Sequence, residues 1–147
     1  MTATAERVLA EAPVAGEVPR AELAEWARDL GVRAGITLRG DGPAPGFDLG
    51  LWTGEPVGQV MGRWHAFRRA LGVRGLVIGT QVHGPEVRWQ GAALDGWLQV
   101  DGVDGHATDR RGVALAVTVA DCIPVYLASP AHGVIALLHA GWRGAAA

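Results

Sequence analysis

The stretch VADCIPVYLASPAHGVIALLHAGWRGAAA, Val119–Ala147, decides how the chain is read. It holds two apolar runs, IPVYLAS and GVIALLHAG, separated by Pro130, Ala131 and His132. Each run has strand length, and Pro and Gly punctuate the junction, so two buried strands joined by a turn are expected. A third apolar run, VALAVTVA (Val113–Ala120), precedes them. Near-continuous apolarity of this kind marks strands covered on both faces. Yet the stretch carries the only cysteine of the chain, Cys122, next to Asp121, and it carries His139 before an Ala-Gly-Trp-Arg-Gly turn. A membrane span over Gly112–Ser129 is disfavoured, because Asp121 and Pro124 sit in its middle and a carboxylate there is costly.

Working back from this stretch, GLVIGTQVHG reads as a β-branched strand ending at Gly84, and PEVRWQG as a short extended piece. The acidic, Gly-rich DGWLQVDGVDGHATDRRG between them and the apolar runs reads as a loop with turns. Upstream, Val57, Val60, Met61, Trp64, Phe67 and Leu71 share one helical face, and Pro56 suits the first turn. GDGPAPGFDLGLWTGEP reads as a loop, VRAGITLRG as a strand, and RAELAEWARDLGV as a helix stopped by Gly31. The pattern is mixed α/β, with the strand-rich core in the second half.

The 147 residues make one domain or part of one, enough to bury a substantial core. A net charge of -2 points away from nucleic acid and from anionic membrane surfaces. The thirteen basic residues are all Arg. A single cysteine forms no internal disulfide, which suits a reducing cytoplasm. The acidic N-terminus lacks the apolar run of a signal peptide.

Three side chains are out of keeping with buried strands: His83, Cys122 and His139 each stand at a predicted strand end. Two imidazoles and a thiolate form a three-ligand zinc set with a fourth position open, as in catalytic sites. Their separations along the chain far exceed those of zinc fingers, so the fold would have to assemble them. The plainer alternative is a small buried thiol and two hydrogen-bonded histidines, since free cysteine is commonly buried. His65 reads as a surface residue, and His106 and His132 as solvated turn residues.

The wording of the motifs adds to this. QVHG (Gln81–Gly84), an Asp-x-x-x-Thr loop from Asp104, ADCIPV (Ala120–Val125) and HAGWRG (His139–Gly144) occur in that order. From about Gly31 onward the chain resembles the family first described as multicopper polyphenol oxidoreductases (laccases). That family is also described as zinc-dependent purine nucleoside phosphorylases with adenosine deaminase and methylthioadenosine phosphorylase activity, and as the peptidoglycan editing factor family. The resemblance implies an α/β (α+β) fold, YfiH-like and akin to a toxin deamidase: a mixed β-sheet sandwich core flanked by helices. It implies His83, Cys122 and His139 as ligands of one zinc ion, with copper a possible substitute. The substrates it implies are a purine nucleoside and phosphate.

Two positions depart from the family pattern: Asp48 replaces an Asn in FDLG, and Arg63-Trp64 stands where an Asn-Arg pair is usual, which bears on substrate preference. Family members continue for about another hundred residues past HAGWRG. The expectation is therefore one domain over 1–147, incomplete and N-terminal to the rest, with residues 1–20 flexible. An exposed core in such a chain invites self-association.

Roles for the remaining residues stay open. Arg143 suits phosphate or substrate binding through a bidentate fork, and otherwise pairs with a carboxylate at the surface. Asp121 suits proton transfer or support of a ligand histidine, and otherwise caps a turn. Asp104 reads as an Asx-turn residue or a substrate contact. Trp142 suits packing or stacking on a base. Competing functions are a cysteine hydrolase with Cys122 as nucleophile and His139 as base, an inactive remnant, and a copper phenol oxidase.

Overall fold

The structure is a computed structural model that describes residues 7–43 and 46–146. The chain forms two compact units, Met1–Asp48 and Leu49–Ala147.

The first unit is a three-stranded antiparallel sheet with one helix. β1 (Ala12–Val14) pairs with β2 (Arg20–Glu22), which pairs with β3 (Gly35–Thr37). α1 (Ala24–Leu30) lies between β2 and β3 in sequence and ends on Gly31 in the left-handed region, φ 65°. Of the residues 1–20 expected to be flexible, Met1–Glu6 lie outside the described residues; within the rest, β1 is paired and Val18 is fully buried. The sheet holds a half-buried ion cluster, in which Glu22 accepts from Arg20 at 2.7 Å and from Arg33 at 2.8 Å.

The second unit is the expected mixed sandwich. α2 (Val57–Leu71) starts after Pro56 and ends on Gly72, φ 66°. One sheet is parallel and three-stranded, ordered β6 (Gly96–Asp101), β4 (Gly75–Thr80), β8 (Val113–Ala116). β4 is central and buried on both faces, which explains its unbroken apolar run. Trp64 of α2 packs on Trp97 of β6, with ring centroids 6.2 Å apart, so the helix covers one face. Gly79 turns to the other face: a Cβ there would lie 2.0 Å from the carbonyl oxygen of Val103 and 3.4 Å from His106 Nε2.

The second sheet is four-stranded, ordered β5 (Val87–Trp89), β7 (Gly105–Thr108), β10 (Val134–Ala140), β9 (Ile123–Ser129). β9 and β10 form the antiparallel hairpin expected around Pro130, and β10 is interior as expected. Their cover differs from expectation. The register places Val87, Trp89, Ala107, Ala136, Leu138, Ile123 and Leu127 on one face. Its outer residues Val87, Trp89, Leu127 and Ile123 are 50, 50, 49 and 65% exposed. That open apolar face is of the kind expected above to invite self-association.

The segment read as a Gly-rich loop contains two strands, β6 and β7. Its glycines divide by purpose: Gly96, Gly102 and Gly112 have positive φ, whereas a Cβ on Gly105 would meet Leu138 Cδ2 at 2.7 Å. His106 is accordingly no solvated turn residue but a fully buried one in β7. The strand expected to reach Gly84 stops at Thr80, and VALAVTVA is a strand only to Ala116.

Candidate metal centre

After Thr80 the chain leaves the sheet, yet it is not loose. The Gln81 amide pairs with the backbone of Thr118 as if the β4–β8 ladder continued. Its Oε1 accepts from Thr118 N at 2.7 Å, and its Nε2 donates to Thr118 O at 2.8 Å. Gln81 thus holds the irregular segment that leads to Cys122. The next three amides converge on one carboxylate. Val82 N and Gly84 N donate to Asp104 Oδ2 at 2.8 and 3.1 Å, and His83 N donates to Oδ1 at 2.8 Å. Successive N–H groups around an anion form a nest, which requires a left-handed residue within the run. That residue is His83, φ 60°, the one non-glycine with positive φ among the described residues. A non-glycine there costs on the order of 1–3 kcal/mol. Three hydrogen bonds to a charged acceptor, each about 1.5–3 kcal/mol, offset it.

Asp104 also receives His139. The ring Nδ1 of His139 lies 2.8 Å from Asp104 Oδ1, and His139 N donates to Asp104 O at 2.7 Å. The Asp104 and His139 side chains are 2 and 3% exposed. Burial alone would raise the Asp104 pKa; the Val82 amide, the His139 ring and the Gly84 and His83 amides outweigh it and hold the carboxyl below its usual value. With an ionised acceptor at Nδ1, the ring carries its proton there and leaves the Nε2 lone pair free.

Cys122 stands just before β9, half-buried and with a free thiol. β9 pairs with β10 so that Pro124 faces His139 and Ile123 faces Ala140, which brings the thiol to the imidazole. The His83 and His139 rings meet edge to face, with centroids 4.8 Å apart and an interplanar angle of 80°. One ligand atom from each of His83, Cys122 and His139 lies within 4.8 Å of the others, the one such cluster found among the described residues. Bond lengths of ~2.0–2.3 Å around a tetrahedral zinc put ligand atoms ~3.3–3.8 Å apart. The donor set therefore fits one zinc ion after side-chain rotations of about an ångström. His83 is exposed and His139 buried, so the cluster opens on the His83 side.

Gly141 makes the approach possible. A Cβ there would sit 2.7 Å from His83 Cδ2 and 3.4 Å from Cys122 Sγ. Gly144 is similarly close-packed: a Cβ there would lie 2.9 Å from Gly84 O. Gly141→Ala is expected to displace the His83 ring and weaken zinc binding about tenfold, in line with overpacking costs of about 1–3 kcal/mol. Chelator competition measures it, and unchanged affinity would show that the ring yields freely.

The other residues singled out in the sequence have surroundings of their own. Asp121 is exposed beside Cys122. Arg143 is exposed in α3 (Trp142–Ala146), its Cζ 5.9 Å from the Trp142 ring centroid. Trp142 is 79% exposed. Arg63 makes a bidentate pair with Glu55 at 2.7 and 2.6 Å. Trp64 is a core residue, 1% exposed, donating to Leu49 O at 3.0 Å. His65 and His132 are exposed, the latter 2.7 Å from Ser129 Oγ. Sequence reasoning gave Gln81 no role of its own, and the acid it offered as support for a ligand histidine was Asp121. The available signal was chemical: a ligand histidine needs an acceptor for its second nitrogen.

A sandwich that gathers two imidazoles and a thiol from a turn and two neighbouring strands defines a candidate metalloprotein. The chain belongs to the multi-copper polyphenol oxidoreductase laccase family, whose pattern it matches over residues 31–147. It is 36% identical over 133 residues to purine nucleoside phosphorylase YlmD of Geobacillus stearothermophilus, covering 79% of this chain and 47% of that protein. It is 35% identical over 77 residues to adenosine deaminase RL5 of an unknown prokaryotic organism, covering 52% of this chain and 27% of that one. The crystal structure of YlmD superposes with a TM-score of 0.76 at 27% identity, over 93% of this chain and 55% of that chain. The chain thus spans about half the length of the curated relatives it matches. No helix among the described residues is long and apolar enough to cross a membrane.

Proposed function

We propose that this chain acts as a zinc-dependent purine nucleoside phosphorylase, cleaving adenosine, inosine or methylthioadenosine with phosphate and deaminating adenosine as a second activity. The observation that carries the reading is the His83–Cys122–His139 cluster with the Nδ1 of His139 committed to Asp104. The relatives' names supply the substrate class. Bound zinc would supply Lewis-acid polarisation of a substrate oxygen.

The chain's own groups do the rest. Asp104 keeps the His139 ring oriented. Gly141 leaves room for His83, whose exposed side is where a nucleoside enters. In phosphorolysis a phosphate oxygen bonds to the anomeric carbon as the glycosidic C–N bond breaks, and the departing purine takes up a proton. Arg143 is assigned to phosphate, as a planar fork for two of its oxygens. Asp121 is assigned the transfer of that proton. A free thiol is in keeping with a cytoplasmic setting.

A cysteine hydrolase would use the same Cys122 and His139, and metal content separates the two. Zinc-loaded protein should resist alkylation at Cys122, while chelation should restore it. Rapid alkylation with zinc bound would favour the hydrolase. For the phosphorylase, Arg143→Ala should lower kcat/KM for phosphorolysis about 10–100-fold, the loss of one or two charged hydrogen bonds. Deamination, which uses water in place of phosphate, should change less than about twofold. Side-by-side assays on adenosine check this, and equal losses in both would make Arg143 structural.

A further inference from the structure

We infer that Asp104 is the positioning residue that assembles the metal centre before any metal arrives. The inference rests on the reading of His83, Cys122 and His139 as metal ligands. A carboxylate offers about four lone-pair positions. Asp104 has four donors on them: His83 N and His139 Nδ1 on Oδ1, Val82 N and Gly84 N on Oδ2. One buried side chain, from the turn between β6 and β7, thereby reaches two of the three ligand residues in two different ways.

For His83 it acts on the backbone. Three N–H groups drawn to one anion set the left-handed turn, and that turn sets where the imidazole leaves the chain. For His139 it acts on the ring, holding the plane and directing Nε2 into the cluster. The main chain of Asp104 is tied on both sides as well: its N donates to Glu86 O at 3.1 Å, and its O accepts from His139 N at 2.7 Å. The carboxylate is therefore a fixed reference point, and the ligand atoms come within 4.8 Å of one another around it.

Asp104→Asn keeps the shape but replaces one acceptor oxygen with an NH2. Either the two amides on Oδ2 or the donors on Oδ1 then face a donor. Zinc affinity, measured by competition with a chromophoric chelator, should fall about 10–100-fold relative to the unaltered protein. The far-ultraviolet circular dichroism should stay the same. Unchanged affinity in a folded Asp104→Asn protein would overturn the inference.

A second measurement needs no variant. In metal-free, unaltered protein the amide protons of Val82, His83 and Gly84 should exchange as slowly as those of β10, and zinc should slow them no further. Fast exchange that zinc suppresses would overturn the inference, because the metal and not Asp104 would then order the loop. If Asp104→Asn fails to fold, this exchange measurement decides. Failure of the unaltered protein to bind zinc would instead sink the reading of the three residues as ligands, while the exchange rates still report on the carboxylate.

Discussion

Cys122→Ala is expected to lower zinc affinity about 10²–10³-fold, on a scale where about 10–16 kcal/mol of structural zinc binding is shared among four ligands. The thiolate is the one anionic donor among the three residues of the cluster. Without it, two neutral imidazoles would face a dication. The fold should survive, because Cys122 is half-buried at the start of β9 and outside the strand pairing itself. Chelator competition, with circular dichroism as the control for folding, measures the effect. Affinity within a factor of three of the unaltered protein would remove Cys122 from the ligand set. The same protein would then be examined for a nucleophilic thiol.

Acid is expected to destabilise the second unit through His106, which is not one of the three clustered residues. Its ring is fully buried in β7, with Nδ1 3.2 Å from Gln90 Nε2 and Nε2 without a hydrogen-bond partner. Burial, helped by the charge of Arg88, lowers its pKa to about 4. The neutral ring is the form that fits the fold. As pH falls below about 6.5 the unfolded chain binds a proton that the folded chain refuses, so stability declines until about pH 4 and then levels off. The difference amounts to about 2.5 kcal/mol at pH 4.5 relative to pH 7.5. Urea denaturation at both pH values should show this loss, and His106→Gln should remove most of it. If the acid loss in His106→Gln equals that of the unaltered protein, the titrating group lies elsewhere.

The two outcomes concern residues whose roles were unequally legible. Cys122 and His139 stand out in sequence because a thiol and an imidazole interrupt apolar runs. His106 does not, because GVDGHATD has the composition of a turn. In that segment glycine serves both purposes: Gly102 takes a positive φ of 68° at the turn, whereas a Cβ on Gly105 would collide with Leu138. Composition cannot distinguish a glycine that bends the chain from one that makes room for a neighbour, since both follow from the missing Cβ. Two strands were lost to that ambiguity.

By itself the sequence determined the local elements with a strong period or a strong stop. α2 follows from the spacing of Val60 and Trp64 and its end at Gly72, and the β9–β10 hairpin from two apolar runs around Pro130. It determined the mixed α/β class and marked His83, Cys122 and His139 as out of place. The tertiary structure alone decided what brings them together. His83 lies beyond its strand, in a left-handed turn whose cause is Asp104, twenty-one residues away. Hydrogen bonds from a side chain to a distant backbone leave no periodic trace, because neither partner needs a particular neighbour in sequence.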